Sequence, residues 1–407
     1  MTDKRRMALF MLVNVMFNIG ANCHHPNTPT LFKNLGLPDY MFGYALAAML
    51  VMNFLFSPFW GKLNTYISSK FCMLVACGGY GLGQLFFGLA RTSGQFLFAR
   101  AFAGVFSSGA FVSIINYVVN TSEDGERGTN LTVTATIQSV AGAFGYFVGG
   151  MLGEISAFFA IAFQSVLLAC CGVFFLLVCK NDAKISLKEV KTRQLVREAN
   201  PFAAFMASGE FMTFALAIFF TVCTLHAMGQ TAFDQSFNYY LKDQFNFSSG
   251  YNGVLKALMG LITLLANSTL CMYLIRRTDV NRSVIGVLSV CAVTMLAVIF
   301  QQSMIPFVVL NVIFYALAAS VVPLIQSIAA DSAKGKDSNL VMGFFNAMKS
   351  LGGILGAMVA GSFYAMNPIY PFVFSFAAML LATFCAASYY RKTRKAPAPE
   401  PAGVQGG

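Results

Sequence analysis

Apolar runs of about 20 residues recur along the whole of this 407-residue chain, the length an α-helix needs to cross a hydrocarbon core about 30 Å thick. No soluble core has a use for so many. The hydrophobic fraction is 57% and the charged fraction 11%, so lipid is the solvent for most of the chain. The pattern predicts twelve spans, at 6–26, 40–61, 71–90, 96–119, 130–153, 157–179, 209–238, 251–275, 283–300, 305–330, 339–366 and 369–390. The expected fold class is an all-α polytopic membrane protein with twelve transmembrane helices.

A net charge of +11 would also suit a nucleic-acid binder, and the placement of the basic residues decides between the two. If both termini lie on one side of the membrane, that side collects 21 of the 27 Lys and Arg residues, among them Lys4, Arg5, Arg6, Lys180 to Arg197, Arg276, Arg277, Arg282, Lys334, Lys336 and Arg391 to Lys395. The other side holds only Lys33, Arg91 and Lys242. That asymmetry follows the positive-inside rule. Both termini are therefore expected in the cytoplasm, with the chain in a cell (plasma or inner) membrane, the lipid bilayer as its partner and no nucleic acid. Lys4 to Arg6 before an apolar run resembles a signal peptide, but no small-residue cleavage site follows, so the segment reads as a first transmembrane helix. The ten cysteines show no CxxC spacing and read as packing residues.

Ser139, Gly142, Gly145 and Gly150 are matched by Ser350, Gly353, Gly356 and Gly361, each 211 positions further along. The chain reads as two copies of one unit. Small residues accompany each copy at four-residue spacing, Ala141/Gly145/Gly149 and Gly352/Gly356/Ala360, a stripe that lets helices approach closely in lipid. Two pseudo-symmetric six-helix bundles are expected at 1–180 and 209–390, joined by a polar, charged cytoplasmic linker at 181–208 and followed by a disordered tail at 391–407 rich in Pro, Ala and Gly. Gly145 and Gly356 are expected at close helix contacts, where leucine would be damaging and alanine much milder.

Polar side chains in hydrocarbon cost several kcal/mol unless they meet a partner or a cavity. In the first span Asn14, Asn18, Asn22 and His25 share one helical face, and in the seventh His226, Gln230, Asp234 and Asn238 do the same at steps of four. Two matched stripes on the opening helices of the two halves predict a hydrated path, against the plainer reading that the amides tie helices together. With Gln235 and Asn346 these are the candidate substrate-binding residues. Arg100, Asp234 and Lys349 are charges at membrane depth, assigned to charge pairing and coupling, and Lys256 is expected to snorkel outward. A lone buried charge would be neutralised, so Asp234 and Lys349 are expected to face each other. His24 and His25 stand beside Cys23, but Pro26 follows and no third ligand is suitably spaced, so no metal is expected.

These residues resemble the major facilitator superfamily from Arg6 to Tyr390. Gly61-Lys-Leu-Asn-Thr-Tyr-Ile-Ser-Ser-Lys70 is similar to its loop motif, with Thr65 and Tyr66 where that motif has Asp and Arg; Arg100-Ala-Phe-Ala-Gly104 resembles its fourth-helix motif. Gly145-Tyr-Phe-Val-Gly-Gly150 resembles the fifth-helix motif of drug antiporters, with Tyr146 in place of proline. Phe233-Asp234-Gln235-Ser236-Phe237, and Lys349-Ser-Leu followed by Val359-Ala-Gly361, are similar to the seventh and eleventh helices of the lactose permease group of sugar and proton symporters. That resemblance implies an interhelical pair of Asp234 with Lys349. Leu261 stands where those permeases carry a sugar-binding Glu, and Tyr315 to Pro323 lacks their His and Glu.

The expected function is secondary active transport of a small, uncharged polar solute such as a sugar, polyol or nucleoside, by alternating access and proton-coupled symport. The proton is the coupling ion, with no other cofactor, and the protein is expected to be monomeric. One balanced charge pair among amides and hydroxyls is the ground for an uncharged solute. The alternatives are a drug/proton antiporter that exports lipophilic compounds, and a transporter-like sensor or scaffold. The sequence holds no nucleophile and base pair with a third group, no metal-ligand cluster and no phosphate loop, so no enzyme is expected.

Overall fold

The computed structural model describes residues 3–123, 125–182, 199–301, 303–332 and 338–395. Most of the expected linker, the tail beyond 395, and Lys334 and Lys336 lie outside the described residues. Twelve helices among those described are long and apolar enough to cross a membrane: α1 Asp3–Asn22, α2 Met41–Tyr66, α3 Ser69–Leu89, α4 Ser93–Thr121, α5 Arg127–Ile155, α6 Ala157–Val178, α7 Phe214–Asp243, α8 Ser249–Ala266, α9 Val280–Ile299, α10 Met304–Ser332, α11 Ser338–Met366 and α12 Tyr370–Lys395. The first span continues past α1 through a 3-10 turn, His25–Asn27, and a short helix, Thr28–Asn34. A π-helical turn, Asn267–Cys271, and a short helix, Met272–Arg277, prolong α8. Alternating directions put the start of α1 and the close of α12 at one end, here called the basic end; the other is the far end.

Local chemistry sets several helix starts. Thr92 and Gln95 form a capping box at α4, while Thr213, Ser248 and Asp279 accept backbone N–H groups at the starts of α7, α8 and α9. Thr213 moves the seventh span to Phe214, later than the expected 209, and the helix runs on to Asp243. At α3 the cap comes from a distance. Asp182, beyond α6, accepts from Ser69 N at 2.8 Å, Ser68 Oγ at 2.7 Å and Ser69 Oγ at 2.6 Å. A carboxylate thus sits on the positive end of a helix dipole, in a loop whose own motif lacks its Asp.

The duplicated small residues make equivalent contacts in the two halves. A methyl group added at Gly145 would collide with the carbonyl oxygen of Ile19 on α1, and one at Gly356 with that of Met228 on α7. Fifth and first helices of each half are locked alike. The next repeated pair faces across the halves: Gly150 packs on Ser249 and Gly253 of α8, and Gly361 on Tyr40, just before α2, and on Gly43 within it. Dispersion and close approach, not hydrophobic burial, hold helices together in lipid, so the glycines carry the packing.

The expectation that alanine is mild at Gly145 and Gly356 is corrected here, because the atoms in the way are backbone and cannot rotate aside. Both Ala variants should cost about 1–3 kcal/mol through overpacking and both Leu variants more, read as loss of monodisperse protein in detergent and a lower unfolding temperature. Unchanged stability in both Ala variants would refute the contact.

Candidate functional site

The two halves meet tightly at the far end. Lys33 bridges Asp39 of its own half at 2.8 Å and Asp243 of the other at 2.5 Å. Tyr239 donates to Asp39 at 2.7 Å, and Tyr364 donates to Asp243 at 2.8 Å. Thr30 and Ser249 share a hydroxyl contact of 3.1 Å, Tyr44 and Ser362 one of 3.0 Å, and Glu154 accepts from Gly250 N at 2.5 Å. Toward the basic end the facing helices separate: Gln138 and Ser139 on α5, and Asn346 and Lys349 on α11, are all exposed. This is an inward-sloping cleft, sealed at the far end.

Below the seal lies a cavity of about 240 Å³, lined by Asn22, Gln138, Ser139, Gly142, Ala143, Tyr146, Lys256, Gly260, Thr263 and Tyr315. Helices α1, α5, α8 and α10 supply it from both halves. Gly142 and Gly260 let backbone and small side chains line it closely, a Cβ at Gly142 standing 3.1 Å from the Asn22 amide nitrogen. His25 stacks on Tyr146 with ring centroids 5.3 Å apart and planes 14° from parallel. Lys256 is buried, forms an ion pair with Asp234 of α7, and lies 5.3 Å from the Tyr315 ring centroid. Amides, hydroxyls and phenols around a neutralised pair can donate to and accept from a small polar molecule.

The structure corrects the expected pairing. Asp234 meets Lys256, not Lys349, because the long Lys256 side chain, two turns into α8, reaches from the cavity to Asp234 on α7, while Lys349 is exposed in the cleft. Lys256 points inward and not to the membrane surface as expected; Asp234 keeps 27% of its side chain exposed and Lys256 4%. Arg100 is buried, 4.0 Å from the Phe87 ring centroid and 3.9 Å from Met49 Sδ, with no carboxylate within ion-pair distance among the described residues.

The polar stripes divide. Asn14 and Asn18 are buried and bonded along their own helix, Asn18 Nδ2 donating to the Asn14 carbonyl and side-chain oxygens, each at 2.9 Å. Of that stripe only Asn22 lines the cavity. His25 is in the 3-10 turn, past the end of α1, and its carbonyl accepts from Asn238 at 3.2 Å. His226 is buried and tied to the Ala318 carbonyl at 3.0 Å, so it packs α7 on α10. Gln230 and Gln235 are half-buried, and Asn238 is held by Asn252 at 2.6 Å. The sequence reading missed Tyr146, Tyr315, Gln138, Ser139, Lys256 and Thr263 as lining residues. Asn252, Lys256, Gly260 and Thr263 recur at steps of four, four and three along α8, a stripe that would have pointed to the cavity.

Comparison with known proteins agrees with this architecture. The model of the Major Facilitator Superfamily matches residues 10–304 and, again, 224–406. Multidrug resistance protein 2 of Bacillus subtilis (strain 168) is 20% identical over 377 residues, 92% of each chain. The staphyloferrin B transporter of Staphylococcus aureus (strain NCTC 8325 / PS 47) is 32% identical over 164 residues, 39% of this chain and 36% of that one. Among solved structures, the nucleoside transporter NupG superposes with a TM-score of 0.73 at 15% identity, covering 96% of this chain and all of that one. The two matches to the family model together take in both six-helix halves, and the chain belongs to the Major Facilitator Superfamily.

Proposed function

We propose that the protein is a secondary transporter that moves a small hydrogen-bonding solute across a cell membrane by alternating access, with both termini in the cytoplasm. One observation carries this: a polar cavity supplied by both halves, closed at the far end and reached from the basic end. The excess of Lys and Arg at the basic end supports the orientation, which makes this the inward-open state. Asp234 is balanced by Lys256 in place of Lys349, so the pair at the cavity stays neutral while Lys349 is left without the partner expected for it. Asp234, partly exposed and paired with the cavity-lining Lys256, is the acid to which this reading assigns proton coupling.

A drug/proton antiporter is the second reading, favoured by the full-length similarity to a multidrug resistance protein. Proteoliposomes with an imposed proton gradient separate the two. Accumulation of a hydrophilic solute from a panel of nucleosides, sugars and small acids, lost in Asp234→Asn, supports the first reading. Extrusion of ethidium, with no hydrophilic solute moved, supports the second. Binding without flux of either class would make the chain a sensor. A ligand at a hundred times its dissociation constant should stabilise the purified protein by about 2.7 kcal/mol, which makes thermal shift a quick first screen.

A further inference from the structure

The facing surfaces of the two halves carry more positive charge than the chain balances. Among the described residues, Arg100 inside α4, Lys256 at the cavity and Lys349 on α11 stand at membrane depth against Asp234 alone, and Asp234 is held by Lys256. Arg100 and Lys349 are left over, and neither has a carboxylate within ion-pair distance among the described residues. An uncompensated ammonium or guanidinium in a low-dielectric setting is costly. A cleft with apolar walls also focuses its field on whatever enters.

Lys349 looks into the cleft and not into lipid. On α11 the exposed Leu351, Leu355 and Met358 mark the lipid face, and at 3.6 residues per turn they lie roughly 180–240° around the helix from Lys349. Asn346 and Gly353 lie within about 60° of it. Gly353 faces the other half, where an added methyl would stand 3.7 Å from Leu50. The exposure of Lys349 is therefore to the open space between the halves, with the Asn346 amide one turn away.

We propose that the solute carries an anionic group, a carboxylate, sulfonate or phosphate, and that Lys349 meets it in the open cleft while the buried, unpaired Arg100 adds positive potential from its own half. This rests on the transporter reading above and names the charge of its cargo. A neutral solute gives neither cation a partner; an anionic one pairs with Lys349 and is drawn in by the positive field of both.

The test needs no knowledge of the solute. Asn346→Cys, one turn from Lys349, and Ser139→Cys, across the cleft, are each treated with an anionic reagent, sulfonatoethyl methanethiosulfonate, and a cationic one, trimethylammonioethyl methanethiosulfonate. Eight of the ten native cysteines are buried, Cys170 is exposed and Cys385 is half-buried, so the unsubstituted chain serves as the blank. The anionic-to-cationic rate ratio at Asn346→Cys should exceed that of a free thiol by about tenfold or more, and Lys349→Gln should pull it back toward the free-thiol value. A ratio at or below that of the free thiol at both positions, or one indifferent to Lys349→Gln, overturns the proposal. In proteoliposomes, flux of gluconate or uridine monophosphate supports it, and flux of glucose or uridine with exclusion of those charged counterparts overturns it. A positive cleft in a protein that moves no solute would sink the transporter reading and leave the anion site standing.

Discussion

Leucine at Gly43 or Gly253 should hold the far end open and stop solute movement. A methyl at Gly253 already stands 2.5 Å from the Tyr146 carbonyl oxygen, and one at Gly43 collides with the carbonyl of Ala357, both across the halves. Neither obstacle can rotate away. Overpacking of about 1–3 kcal/mol or more falls on the sealed state alone, which shifts a two-state equilibrium by about 5- to 150-fold. A cysteine at Thr30, covered by Ser249 in the sealed state, should then react with a membrane-impermeant maleimide added from the far side, faster in Gly253→Leu than in the parent. Equal labelling in both would show that these glycines do not gate the seal. Gly145 and Gly356 pack within their own halves, so substitution there should reduce folding without selecting a state.

Asp234→Asn alone and Lys256→Met alone should each hurt more than the two together. Removing one partner of a wholly buried pair costs about 3–5 kcal/mol, since a charge is left without compensation; the 27% exposure of Asp234 reduces the figure for the lysine variant. Lys256 is 4% exposed and tolerates loss of its partner least, so Asp234→Asn should be the more destabilising single change. A double-mutant cycle on unfolding temperature and solute flux measures the coupling. Simple additivity would mean that the two do not interact. Lys349→Ala, with no acid partner among the described residues, should leave stability nearly unchanged, which distinguishes this account from a pair between Asp234 and Lys349.

The contrast between these lysines shows where the sequence stops being informative. Span number, duplication and the equal roles of Gly145 and Gly356 are periodic properties, and periodicity survives in one dimension. The partner of Asp234 is not periodic: it depends on which helix crosses α7 at the level of that carboxylate, and Lys256, seven residues from the start of α8, looks from sequence alone like a snorkelling cation. Asn14 and Asn18 fail in the other direction. Their spacing matches a cavity face, yet both are buried and the Asn18 amide donates to Asn14 within α1, a local alternative always open to Asn. Asp182 shows a third case. The loop motif without its acid reads as a lost latch, while the carboxylate that caps α3 comes from more than a hundred positions further on.

The central claim is that the two halves rock about the cavity, so that one end opens as the other closes. Electron-electron resonance distances in lipid nanodiscs test it most directly, with one spin-label pair across the far end at Asp39 and Lys242 and one across the basic end at Arg127 and Arg276. The account predicts that Gly253→Leu lengthens the first distance and shortens the second, and that a disulfide between Thr30→Cys and Ser249→Cys fixes the short far-end and long basic-end distances. Far-end distances that change while the basic end stays fixed, or distributions at both ends that neither variant alters, would contradict it.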